Sequence, residues 1–112
     1  MKLVVAIIQP DMLEDVQKAL VRHGVSGMTI SEVSGYGRQR GHLEVYRGEE
    51  YTIDFILKIR IEVIVDDDEA QALTDVIRQS ACTGQVGDGK IWTIPVESVV
   101  RIRTGEHGSV AI

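Results

Sequence analysis

A chain of 112 residues with a formal net charge of -5 is too short for two independent cores and too acidic to coat nucleic acid. Its single cysteine, Cys82, excludes an internal disulfide, and 44% hydrophobic with 26% charged residues is the balance of one ordinary globular domain spanning 1–112. The lone thiol and the lack of a signal-peptide pattern point to the cytoplasm. Residues 1–8 are apolar but too short to span a bilayer, so any membrane association would run through a partner.

Residues 2–8, KLVVAII, form a β-branched run without alternation, the pattern of a central strand covered on both faces. Pro10 stops it. Asp11 then reads as an N-cap with Glu14 three residues on, and Leu13, Val16 and Leu20 recur at helical spacing until Gly24. Residues 28–33 read as a second strand of mixed polarity. The stretch 34–54 is broken by Gly35, Gly37, Gly41 and Gly48 and carries Arg38, Arg40 and Arg47 with Tyr36, Tyr46 and Tyr51. It is too polar and too glycine-rich to be strand or helix throughout, and a long loop over about 36–54 is the expectation, of the kind that carries function.

Residues 51–65 show the clearest alternation in the chain. Ile53, Phe55, Leu57, Ile59, Ile61, Val63 and Val65 fall on one face; Thr52, Asp54, Lys58, Arg60 and Glu62 fall on the other, interrupted by Ile56 and Ile64. The acidic run 66–69 suits a helix N-terminus, and Ala70, Leu73 and Ile77 give the helix its apolar stripe. A strand at 90–94 follows a glycine-rich turn, and a short alternating piece ends the pattern, with Val100 and Ile102 facing one way and Arg101 and Arg103 the other.

Strand, helix and strand occur twice, so the economical fold is α+β, a ferredoxin-like βαββαβ sandwich with the long loop between strands 2 and 3. Helices on one face only would leave the side of Ile56 and Ile64 partly bare, which favours a homo-oligomer. The alternative is that these isoleucines are scattered surface apolars.

The segment TGQVGDGK at 83–90 places Gly84, Gly87 and Gly89 ahead of Lys90. Glycines let backbone N–H groups approach phosphate oxygens, and a lysine adds a point charge. Ile91 stands where a P-loop needs Ser or Thr, and the segment opens a strand, so it is not a Walker motif. Standing alone it reads equally as a turn with no ligand. Arg101 and Arg103 on one strand face would favour a triphosphate or other polyanion. His23, His42 and His107 lack metal-ligand spacing, Cys82 lacks a catalytic or metal-binding companion, and Trp92 reads as packing. No nucleophile with a base proposes itself.

YRGEEY at 46–51 and TGQVGDGKIW at 83–92 resemble the two signatures of the PII nitrogen-regulatory signal-transduction proteins, and the likeness runs from MKLVVAI to VVRIRTGE. The resemblance implies a cytoplasmic homotrimer that binds ATP or ADP between subunits and reads 2-oxoglutarate with Mg2+. It implies that Gly87, Asp88, Gly89, Lys90, Arg101 and Arg103 hold phosphates. Thr29, Gly37, Arg38 and Ile64, with Glu62 nearby, would surround ribose and base. Gln39 would ligate the Mg2+ bridging ATP and 2-oxoglutarate, and Lys58 would pair with the far carboxylate of 2-oxoglutarate. The long loop would be the family's T-loop, with Tyr51 its site for a nucleotidyltransferase and Arg47 the residue that enters an ammonium transporter; nitrogen-assimilation enzymes are the other partners implied. Glu49, Gln9, Leu57, Cys82 and Gln85 depart from the usual residues. Two rival readings stand beside this one: an enzyme that hydrolyses the nucleotide or transfers a phosphoryl group at the same cleft, and a structural trimer without nucleotide dependence.

Overall fold

The computed structural model describes residues 1–36, 43–46, 49–52 and 55–112, with the backbone alone for 43–46 and 49–52. Four strands form one sheet: β1 (Lys2–Ile8), β2 (Thr29–Gly35), β5 (Ile56–Val65) and β6 (Gly89–Pro95), in the order β2-β5-β1-β6. All three pairings are antiparallel. With helices α1 (Leu13–His23) and α2 (Ala70–Ala81) between them, this is the βαββαβ connection and strand order of the ferredoxin-like sandwich.

Both helices pack on one face. Val16 and Leu20 of α1 and Leu73, Ile77 and Ala81 of α2 close over Val4, Ala6, Ile8, Ile59, Ile61 and Val63, all buried. Strand side chains alternate between faces, so Leu3, Val5, Ile7, Arg60, Glu62, Ile64 and Trp92 lie on the other side. Among the described residues no helix or strand covers that side. Val5 is nonetheless fully buried, while Trp92 is 38% and Ile94 42% exposed. The absence of alternation in β1 reflects this central position, between β5 and β6, with apolar neighbours on both faces.

Helix α1 ends at Gly24, whose φ of 105° admits the Schellman turn. The Gly24 N–H donates to the Val21 carbonyl and the Val25 N–H to the Leu20 carbonyl, both at 3.0 Å. Its start differs from expectation. Pro10–Met12 form a 3₁₀ turn, Gln9 takes the N-cap position, and no side chain caps either start, so Asp11 contributes only its charge in the first turn.

Three further expectations need correction. The strand expected over 51–65 begins at Ile56, and Tyr51 belongs instead to β4 (Glu49–Thr52). β4 pairs with β3 (Leu43–Tyr46) as a separate antiparallel ribbon in which Tyr46 faces Glu49 and Glu44 faces Tyr51, so part of the segment between the main strands is regular structure. The alternating run 100–103 is not a strand: only Val100 makes a bridge, to His107, and the chain turns from Ile102 to Thr104. Among the described residues, no helix is long and apolar enough to cross a membrane.

The core geometry sets an expected cost for truncation. Leu20→Ala, at a fully buried contact between α1 and the sheet, should lower stability by about 2–5 kcal/mol. Urea unfolding followed by far-ultraviolet circular dichroism measures it; a change below about 1 kcal/mol would contradict this packing.

Candidate functional site

The glycine-rich turn between α2 and β6 is held at three points. At its end, Gly89 has φ 107°, and a Cβ there would come within 1.7 Å of the Ile7 carbonyl oxygen, so only glycine brings β6 into register beside β1. In its middle, the Lys58 ammonium donates to the Gly87 carbonyl at 2.6 Å. At its start, the Asp88 carboxylate accepts from the backbone N–H groups of Thr83 (2.8 Å) and Gly84 (2.9 Å) and from the Thr83 hydroxyl. These bonds, the hydroxyl first, hold the Asp88 carboxyl below the usual carboxylate range.

Asp88 is therefore an internal staple, and its side chain is already committed within the turn. The pairing of Thr83 with an aspartate five residues on is the signal that could have revealed it, since Asp side chains favour backbone N–H partners in turns. Nothing in the sequence announces the Lys58–Gly87 bond, which joins β5 to the turn across 29 positions.

Lys58 is only 8% exposed although it lies on the open face of the sheet. Burial pushes its pKa down, opposed by the charges of Asp88 and Asp11. Its protonated form thus carries a penalty in the folded state, relieved as pH rises through the lowered folded-state value towards the ordinary lysine value. Lys58, Lys90, Gly87 and Gly89 line a cleft of about 640 Å³ with Gly35, Tyr36, Ile56 and Trp92. Trp92, expected as packing, forms part of this wall. At the cleft's rim Tyr36 and Phe55 pair with ring centroids 6.4 Å apart, and both are more than 70% exposed.

Thr29, Glu62 and Ile64 gather elsewhere. They line a second cleft of about 570 Å³ with Met28, Leu3, Val99 and Ile112, and the two clefts share no residue. Glu62 is paired there with Arg60, Nε to Oε1 at 2.6 Å. Arg101 and Arg103 lie beyond Pro95, which pairs with Lys2, whereas Gly89 pairs with Ile8. Those two levels of β1 are six residues apart, roughly 20 Å at about 3.3 Å per residue. One chain therefore separates the residues expected around phosphates into two groups, and Arg101 and Arg103 do not join Lys90 within it.

Against known proteins, a family model described as nitrogen regulatory protein P-II matches residues 1–106. The chain belongs to that family. Over all 112 residues, covering 100% of both chains, it is 52% identical to a nitrogen regulatory protein P-II of Nostoc punctiforme and 51% identical to one of Azospirillum brasilense. The same coverage and 51% identity hold for nitrogen regulatory protein P-II 1 of Escherichia coli.

In this P-II chain, the expected site residues Gly37, Arg38, Gln39 and Arg47 lie outside the described residues, and Tyr51 is placed by backbone alone. Among the described residues no group of His, Cys, Asp or Glu side chains could hold a metal ion.

The Asp88 staple predicts a pH signature. Because its folded-state pKa is depressed, its contribution to stability is present above the ordinary carboxylate value and is lost as pH falls through the folded-state value. Asp88→Asn should be less stable than wild type at neutral pH, and the gap should narrow as pH falls below the ordinary carboxylate value and through the lower folded-state one. Urea unfolding across that range reads it; a gap independent of pH would remove the carboxylate from this role.

Proposed function

We propose that this P-II family member is a sensor in which a nucleoside polyphosphate and a small dicarboxylate bind between copies of the chain and set the shape of the segment 36–54. P-II membership makes regulation in nitrogen metabolism its business. The finer reading names ATP or ADP, Mg2+ and 2-oxoglutarate as inputs. Its outputs are an ammonium transporter, met through Arg47, or nitrogen-assimilation enzymes, with Tyr51 as the target of a nucleotidyltransferase.

The observation that carries this reading is the cleft with Lys58 and Lys90 beside a pinned glycine turn. Two ammonium groups in an otherwise acidic protein, next to a backbone free of side chains, suit an anion with several charges. The Asp88 charge faces Thr83 and Gly84, which limits its opposition to such an anion. Thr29, Glu62, Ile64, Arg101 and Arg103 are too far from the turn in one chain to share its ligand. A second copy, set with its Arg101 end against the turn, would complete the site. The sheet face that carries Trp92 and Ile94 supplies apolar surface for such assembly, and a homotrimer is the closed form we adopt.

Lys58 then connects the inputs. Its ammonium holds the Gly87 carbonyl and lies in the same cleft, so an anion drawn to Lys58 acts on the glycine turn through one side chain. Gln39, next to the base of the segment, would hold Mg2+ when nucleotide and 2-oxoglutarate are both present. Ordering that segment costs about 1–2 kcal/mol of backbone entropy per residue, so a ligand fixed at its base selects one shape from many.

Lys90→Ala should weaken ATP binding roughly 10- to 150-fold, the loss of a charge-assisted bond of about 1.5–3 kcal/mol. Calorimetry checks it, and unchanged affinity would take Lys90 out of the site. Gln39→Ala should spare ATP more than 2-oxoglutarate; equal losses would end its bridging role. In wild type, Mg-ATP and 2-oxoglutarate should each tighten the other, as linkage requires. Steady phosphate release from ATP at an enzyme's pace would favour the phosphoryl-transfer reading instead.

A further inference from the structure

The two arginines that the sequence pairs, Arg101 and Arg103, are not equivalent in the fold. Among the described residues, Arg103 has no hydrogen-bonding or ion-pair partner. Arg101 is held on several sides. Its Nη1 donates to Glu106 Oε1 at 2.9 Å and its Nη2 to the Val110 carbonyl at 2.7 Å. Its backbone N–H donates to the Glu106 carbonyl at 2.9 Å, and its own carbonyl accepts from Gly105 at 2.8 Å. Gly105 and Gly108, at φ 73° and 76°, let the chain fold back to make these bonds. The returning tail is fastened in turn: Gly108 donates to the Val99 carbonyl at 3.0 Å, and the Ser109 hydroxyl donates to Asp66 at the end of β5 at 2.7 Å. Ala111 and Ile112 then line the cleft of Thr29, Glu62 and Ile64.

We infer that Glu106 is a positioning residue for Arg101: it fixes the guanidinium in advance, so that Arg101 meets the phosphates of a bound nucleotide as a preformed fork, while Arg103 is ordered only by the ligand. The inference rests on the nucleotide-binding reading above. Two of the five guanidinium N–H donors are used by Glu106 and Val110, which leaves three for an anion. A carboxylate beside a phosphate-binding cation has two opposed effects. It removes rotamer freedom that the ligand would otherwise have to remove, and it adds a negative charge near the phosphates. The pair is exposed, 35% for Arg101 and 45% for Glu106, so water and salt screen the added charge at any distance beyond direct contact. They do not restore the lost rotamer freedom. Orientation therefore outweighs repulsion.

The test is calorimetric titration of ATP into full-length wild type, Glu106→Ala, Glu106→Gln, Arg101→Ala and the Arg101→Ala/Glu106→Ala double variant, with thermal unfolding of each as the folding control. Glu106→Ala should bind ATP roughly 2- to 12-fold more weakly, the range for immobilising one flexible side chain. Glu106→Gln, which keeps an acceptor oxygen, should recover most of the loss. In the Arg101→Ala background, Glu106→Ala should change nothing further, whereas a merely structural Glu106 would weaken binding again in that background and overturn the inference. Tighter binding by both Glu106 variants would identify the carboxylate as a competitor of phosphate and also overturn it. Unchanged affinity in Glu106→Ala would overturn it while leaving the nucleotide site standing. No ATP binding by wild type would bring down both readings together.

Discussion

Both helices cover one face of this sheet, and among the described residues no element covers the other; most features of the candidate site follow from that asymmetry. Residues one position apart in a strand are sent to opposite worlds. Val4, Ala6 and Ile8 enter the core under α1 and α2, while Leu3, Val5 and Ile7 join Arg60, Glu62, Trp92 and Lys58 on the uncovered side. A face that carries both a buried ammonium and an exposed indole is neither a finished surface nor a finished core. In the assembly proposed above, it is the surface on which a second copy would bury apolar area and add cations to a cleft.

The glycine turn shows how a short polar segment acquires a fixed shape without a core of its own. Gly89 is set by the approach of the Ile7 carbonyl, Gly87 by Lys58, and Thr83 and Gly84 by Asp88. Each restraint comes from a different part of the chain. The turn is thus pinned at three points, and in the proposed site preorganisation of this kind would lower the ordering cost of binding. The tail from Gly105 to Ile112 repeats the device at the far end of the sheet, where Glu106, Val110 and Asp66 hold Arg101 and its surroundings.

For regulation, the value of this arrangement lies in contact between ligand and linkage. Lys58 touches the turn and lies in the cleft, so in the proposed sensor a bound anion would act on the turn through it. Burial pushes the folded-state pKa of Lys58 down, against the opposing charges of Asp88 and Asp11.

Local pattern determined the βαββαβ order, because apolar runs and helical or strand spacings are local properties: the β-branched run at 2–8, Leu13, Val16 and Leu20 on one stripe, Ile59, Ile61 and Val63 on one face. The signatures at 46–51 and 83–92 pointed to the family for the same reason, being contiguous in the chain. The alternation at 100–103 misled, because a strand needs a partner and there the chain pairs only Val100 with His107 before turning. The polar stretch 34–54 likewise concealed β3 and β4, whose cross-strand pairing overrides weak local propensity. Only tertiary structure decided that Lys58 holds Gly87 and that Arg101 is held while Arg103 is not. These depend on groups brought together by folding or by local chain reversal, and no spacing rule in the sequence specifies where those reversals place a side chain.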